Sequence, residues 1–375
     1  MEGKQRYTHV DLIKAVGILF VCMYHFWYGS EMMSFVDLTA TDYLYRVVWG
    51  LLSTCVPLFF VASGAVMLNK PFNGKKHYRS VGIMAMQLYL WRIVTIVVLG
   101  AMNRVDFSVL SRAEFFNILF LFGWTELVAT HHVWFIPMLV AVLLMYPFIK
   151  NCFDREGVDA DSRRILIVSV SILFVLSFVF HDYNVFKYLW KYTAIVETTG
   201  VTTYFDPFAI RVGAMLLYFI LGGYLQKYRE KLTKIPAVVY LLTMLAALAI
   251  SFAGWHIASV QQEYAVDNVF GGYESIPTLV CTVCIFALAV KWEPVIGKSK
   301  SLVSFVQFIG KNTLSVYYVH WILGRVIMDT IYDIYDALQP YLFFPNLLTG
   351  FILIMGSILI GLVIKKIPVV GKYLL

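Results

Sequence analysis

The sequence predicts an all-α, polytopic membrane protein, a single domain over 1–375 with about ten transmembrane helices and both termini cytoplasmic. Three observations lead there. The first is composition: 60% of the residues are hydrophobic, only 14% are charged, and the mean hydropathy is +0.75. A soluble domain is about half apolar and about a quarter charged, so one soluble core does not account for this chain. The second is a series of apolar runs, each near the ~20 residues that a bilayer requires. The third is the placement of Lys and Arg, which alternates from loop to loop.

The runs follow in order. The first, 10–28, comes after nine mostly polar residues and is long enough to stay as a span rather than leave as a signal peptide. The second, 44–68, and the third, 81–102, flank a basic loop with Lys70, Lys75, Lys76 and Arg79. A fourth, 132–150, opens on His131 and His132; a fifth covers 164–181. The remaining five are 207–226, 234–256, 275–291, 304–327 and 346–365. Residues 114–128 are apolar but short, and read as an interfacial or re-entrant helix. The longest loops, 103–131 and 182–206, fall on the outer side; the second is rich in Tyr, Thr and Trp, and reads equally as a cavity cap or as ordinary surface.

With the N-terminus inside, twenty of the thirty Lys and Arg fall in cytoplasmic segments, five in external ones and five within spans. That is the positive-inside pattern. It also explains the net charge of +7, so nucleic acid is not an expected partner. The lipid bilayer is. The 17% of aromatic residues suits interfacial belts and a lined cavity. Of five cysteines, four lie inside apolar runs, and no disulfide framework is legible.

Hydrocarbon disfavours charge, yet the first span, "DLIKAVGILFVCMYHF", keeps Asp11, Lys14 and His25. Lys14 and His25 are eleven residues apart. At ~100° per residue they share a face, about 16 Å apart along the axis. Asp11, three residues before Lys14, is placed to pair with it. Gly17, Val21 and Cys22 lie on or beside the same stripe. A polar stripe in a span faces protein or water rather than lipid. Lys14 also reads as a residue snorkelling to the inner interface. That alternative is weaker for His25, because Trp27 and Tyr28 follow it as belt residues.

Topology adds to this. The fourth span runs inward and the ninth outward, which brings His25, His132 and His320 to similar depth in the outer leaflet. Three histidines suggest a metal, but no His-x-x-x-His pair or nearby carboxylate accompanies them. No metal is expected, and proton transfer suits these residues better.

Several segments resemble membrane acyltransferase family 3, the bacterial O-acyltransferases of polysaccharides, peptidoglycan and related glycans. A basic residue followed eleven positions on by His, here Lys14 and His25, is similar to the family's first-span signature. "VPLFFVASGAVML" resembles its Phe-Phe-x-x-Ser-Gly segment, with Ser63 and Gly64 matching, and Arg79 resembles the basic residue of the next loop. "HHVWFIPMLVAVLLMYP" resembles its His-x-Trp-Phe segment through His132, Trp134 and Phe135. "NTLSVYYVHWIL" resembles its Tyr-x-x-His segment through Tyr317 and His320. The likeness runs in order along nearly the whole chain. Lys14 departs from it, since many members carry Arg there, and Lys lacks the bidentate fork.

The resemblance implies transfer of an acetyl or other short acyl group from cytoplasmic acyl-CoA to a hydroxyl of an extracytoplasmic glycan or lipid-linked sugar, in a bacterial cell (inner) membrane. His25, His320 and Tyr317 would be catalytic. Lys14, Ser63, Lys75, Lys76 and Arg79 would bind acetyl-CoA or another acyl-CoA. His132, Trp134 and Asp11 would bind the acceptor. Pro57 and Pro137 are expected to kink helices beside the donor path. The rival reading is a polysaccharide transporter or export-complex subunit without chemistry, because intramembrane charges mark transport paths too.

Overall fold

The computed structural model describes residues 6–26, 40–102, 133–157, 159–183, 210–262, 272–338, 343–368 and 370–375. Among these residues helix is the only regular structure. The elements are α1 (Thr8–His25), α2 (Ala40–Leu52), α3 (Cys55–Met67), α4 (Gly74–Ala101), α5 (Phe135–Arg155) and α6 (Ala160–Phe174), which runs on through a π turn (Val175–Val179). Then come α7 (Ile210–Lys227), α8 (Arg229–Lys234), α9 (Ala237–Gln262), α10 (Ile276–Ile296), α11 (Lys300–Val326), α12 (Met328–Leu338), α13 (Phe344–Lys366) and α14 (Val370–Leu374). Eight helical stretches are long and apolar enough to cross a membrane. The protein is therefore an all-α polytopic membrane protein. Of the ten stretches legible in the sequence, α7 contributes a shorter apolar helix, Val212–Lys227. α11 is long but interrupted by Gln307, Lys311, Asn312 and His320. It packs on α1, α13 and α4, so its polar residues have protein around them instead of lipid. Residues 114–128 lie outside the described residues.

The expected span 44–68 is two helices, broken at Ser53 and Thr54. Both side chains are buried and turn back on their own chain. Ser53 Oγ donates to Trp49 O at 3.1 Å and Thr54 Oγ1 to Leu51 O at 2.7 Å. A break at membrane depth survives only where freed backbone groups find such partners. Pro57 is then the third residue of α3, and Pro137 the third of α5. Each sits in a first turn, where the N–H that proline lacks would have no intrahelical acceptor. Pro147 is different, being inside α5. It cannot donate to Leu143 O, and the ring Nε2 of His77 on α4 sits 2.9 Å from that carbonyl instead.

Helix directions follow from the contacts. Gly310 of α11 packs on Asp11 near the start of α1, and Gly324 packs on Phe26 just past its end. The two helices run parallel, as the alternation requires of a first and a ninth span. α13 runs antiparallel to α11: Lys365 Nζ donates to Asn312 Oδ1 at 3.1 Å, Gly361 meets Ser315, and Gly356 meets Leu323. α3 and α7 cross at Gly64 and Gly222, backbone against backbone. The bundle thus has a Lys14 end, where α1 starts and α3, α7 and α10 finish, and a His25 end opposite.

Candidate active site

At the His25 end, α1 and α11 bring two distant histidines together. The His25 and His320 rings lie 5.5 Å apart, centroid to centroid. Trp321 meets His25 edge-on at 5.2 Å, and the Arg325 guanidinium lies 4.7 Å over Trp321. His320 is fully buried. Its Nδ1 lies 2.9 Å from Val316 O and 2.8 Å from Tyr317 O. Carbonyl oxygens only accept, so Nδ1 carries a proton. His25 is half-buried, the more open of the two. Tyr335 of α12 holds the end of its helix by donating to Phe26 O at 2.5 Å.

Tyr317 stands one turn below His320, its ring 6.2 Å from that imidazole and 5.3 Å from Phe135. Its oxygen lies against the backbone amides of Phe135 and Ile136, which open α5. The first amides of a helix have no intrahelical acceptor, so the proline-started α5 offers them to the tyrosine. Trp134 stacks on Tyr273 at 5.4 Å. His132 lies outside the described residues, so only His25 and His320 of the three histidines are placed.

The Lys14 end differs from the sequence expectation in one respect. Asp11 does not pair with Lys14. Arg6 takes both carboxylate oxygens, with Nε at 2.6 Å and Nη2 at 2.8 Å. Arg6 precedes the helix and folds back onto it, and its planar fork matches a carboxylate as an ammonium does not. Lys14 makes no hydrogen bond or ion pair among the described residues, and sits within electrostatic range of Asp11, Arg6 and Lys70. α3 runs antiparallel to α1 with Cys55 to Phe59 against Gly17, so Ser63 and Gly64 fall toward the level of Lys14. The end of α3 is fixed from outside. Tyr146 Oη donates to Met67 O at 2.9 Å, Lys150 Nζ to Leu68 O at 3.0 Å, and Asn69 Nδ2 to Ala65 O at 3.1 Å. Lys75, Lys76 and Arg79 are exposed on the first turns of α4. The loop cation that reaches Lys14 is Lys70, which the sequence reading did not single out.

Two further clusters were not singled out either. At the Lys14 end, fully buried His9 has Nδ1 2.8 Å from Glu293 Oε2 and Nε2 2.8 Å from Gln226 Oε1, tying α1 to α10 and α7. At the His25 end, His181 pairs with Asp182 beside Glu274. In sequence these are single polar residues at helix ends, with nothing in their spacing to join them.

On one central helix the bundle sets His25, ring to ring with His320, at one depth and Lys14 at another. The chain belongs to the acyltransferase 3 family: the family model, described as an acyltransferase domain, matches residues 7–366. It is an acyltransferase of that family. No curated protein and no solved structure matches the chain.

Proposed function

We propose that the protein moves an acetyl or other short acyl group from a cytoplasmic acyl-CoA to a hydroxyl of a glycan or lipid-linked sugar beyond the other face of a bacterial cell membrane. The observation that carries this reading is the ring-to-ring meeting of His25 and His320 on a helix that also carries Lys14, which makes no ion pair among the described residues. Lys14 and Lys70 receive the donor's phosphates, with Lys75, Lys76 and Arg79 supplying longer-range attraction that salt would screen. The thin acyl-bearing arm passes Ser63 and Gly64. About 16 Å separates Lys14 from His25 along the helix, which is of the order of an extended pantetheine arm.

The chemistry balances without a further reactant. A ring nitrogen of His25 accepts the proton of the acceptor hydroxyl. The oxygen bonds to the thioester carbonyl carbon, and the charge that builds on the carbonyl oxygen is met by a donor, the role this reading gives to Tyr317. The C–S bond then breaks, the ester forms, and the thiolate leaves with the proton that His25 took. His320, its Nδ1 held by Val316 and Tyr317, steadies the His25 ring across the ring contact.

The test is transfer of labelled acetyl from acetyl-CoA by purified protein, which a transporter or scaffold would not catalyse. Two outcomes are expected alongside. Lys14→Ala should raise the donor KM by at least tenfold, whereas Lys14→Arg, which keeps the charge, should retain partial activity. An unchanged donor KM in Lys14→Ala would show that the lysine only anchors the helix. For orientation, single cysteines placed in 29–43 of a cysteine-free protein should react with an impermeant maleimide in intact cells. Labelling only after permeabilisation would reverse the donor and acceptor sides.

A further inference from the structure

The polar cluster where α1 starts has no part in the scheme above. His9 is fully buried, and one carboxylate, Glu293 of α10, meets it twice. The backbone N–H of His9 donates to Oε1 at 3.2 Å, and Nδ1 lies 2.8 Å from Oε2. A carboxylate only accepts, so Nδ1 carries a proton. On the other side of the ring, Nε2 lies 2.8 Å from Oε1 of Gln226 on α7, a residue only 4% exposed. An amide offers both an oxygen and an NH2 group, so Gln226 can answer Nε2 whether or not that nitrogen carries a proton. The bond therefore outlasts a change in the charge of the ring. Both partners are out of water, where a polar group left without a bond is costly.

Gln226 leads to the donor side. One turn before it on α7, Gly222 meets α3 backbone to backbone at Val61. Gly223 O accepts from Asn69 Nδ2 at 3.0 Å, and Asn69 also donates to Ala65 O at 3.1 Å, which fixes the end of α3. Lys70 is the next residue. On α1, Lys14 comes five residues after His9, about 7.5 Å along the axis. The two lysines are thus carried by helices that α7 joins, one through His9 and the other through Asn69. They lie within electrostatic range and repel, so neither holds the other in place. Their spacing comes from the frame. We propose that His9 is a positioning residue: its bond to Gln226 sets the gap between Lys14 and Lys70, and Glu293 keeps its ring turned toward α7. The proposal rests on the reading that these two lysines receive the donor's phosphates. A gap between two ammonium groups, held by the helices, suits the neighbouring phosphates of a diphosphate, which bring negative charge to each.

The experiment uses the full chain in lipid nanodiscs with coenzyme A as the probe. Isothermal titration calorimetry reads both the Kd and the fraction of protein that binds. Gln226→Leu removes the bond to Nε2 and leaves His9 on Glu293. It should raise the Kd about tenfold or more, as a lost buried hydrogen bond does, with the binding fraction at the wild-type level. General damage to the fold would lower that fraction instead. Gln226→Met, apolar and as long as Gln, serves if the Leu variant does not fold. Gln226→Glu, which keeps an oxygen opposite Nε2, should bind close to wild type. A second measurement reads the gap itself. Lys14→Cys and Lys70→Cys are combined in a cysteine-free protein and bridged by bismaleimides of graded length. One length should dominate with Gln226 in place, and bridging should spread over several lengths with Gln226→Leu. An unchanged bridging profile in Gln226→Leu would overturn the positioning role. So would equal losses of affinity in Gln226→Leu and Gln226→Glu, or a Kd unmoved by Gln226→Leu in a protein whose binding needs Lys14. The donor reading fails separately. A bridging profile that follows Gln226, in a protein whose affinity for coenzyme A ignores Lys14→Ala, keeps the positioned gap and takes the phosphates out of it.

Discussion

Replacing His25 by Ala is expected to abolish acyl transfer in a protein that still folds. The loss of a positioned proton acceptor costs roughly 10²–10⁴ in rate. It would cost more if the imidazole carries the acyl group between donor and acceptor. Folding should survive because His25 is half-buried, and its ring contacts among the described residues are with His320, Trp321 and Tyr24. The anchors of α1 lie elsewhere, in the Arg6–Asp11 pair, the His9 cluster and the Tyr335 bond to Phe26 O. His320→Ala should be damaging but less complete, since it removes the partner of the reacting ring and leaves that ring in place. It should also cost stability, because His320 is fully buried. The measurement is single-turnover transfer from labelled acetyl-CoA by variants matched in melting temperature. Wild-type turnover in His25→Ala would remove the histidine pair from the chemistry.

That prediction was legible in the sequence because it depends on two regular quantities. Helical periodicity put Lys14 and His25 on one stripe, and strict alternation of spans put His25 and His320 at one depth. Both are properties of single helices or of their order, so no tertiary contact had to be known. The parallel packing of α1 and α11 and the 5.5 Å ring contact are what such reasoning expects. It failed where side chains chose between partners. Lys14 was the neighbour of Asp11 at helical spacing, yet Arg6, outside the helix, had the better fork for a carboxylate. The span at 44–68 is borne out as the stretch Arg46–Met67, but its internal break was not legible. Residues 44–68 read as one run because Ser53 and Thr54 are too few to interrupt it, although their hydroxyls serve the backbone at a break. The two prolines fall in the first turns of α3 and α5, and Pro57 follows the Ser53–Thr54 break by one turn. His9, Gln226 and Glu293 meet only through the fold, and in sequence each is a single polar residue at a helix end.

Gly64→Ala and Gly222→Ala should both strip the protein of its folded state or lower its melting temperature by many degrees. α3 and α7 touch through these two residues. A Cβ on Gly64 would lie 1.8 Å from Phe219 O and 2.7 Å from its carbonyl carbon, and one on Gly222 would lie 2.0 Å from Val61 O. The obstructing atoms are backbone, so no rotamer change relieves the overlap, and the helices must move apart by more than an ångström. In a membrane the driving force between helices is close packing, since lipid is as apolar as the side chains. Separation therefore forfeits the contacts along the whole crossing. Overpacking of a core costs about 1–3 kcal/mol where side chains can adjust, and the cost here should reach or exceed the top of that range. The same displacement carries Ser63 and Lys70 away from Lys14, so any protein that survives should bind acyl-CoA poorly. Gly82 supplies the control. It lies on α4 with nothing within 4 Å of a new Cβ, and Ala is the better helix former there by roughly 1 kcal/mol. Gly82→Ala should melt at or slightly above the wild-type temperature. Equal melting temperatures for Gly82→Ala, Gly64→Ala and Gly222→Ala, read by size exclusion after heating, would mean that α3 and α7 do not cross at their glycines.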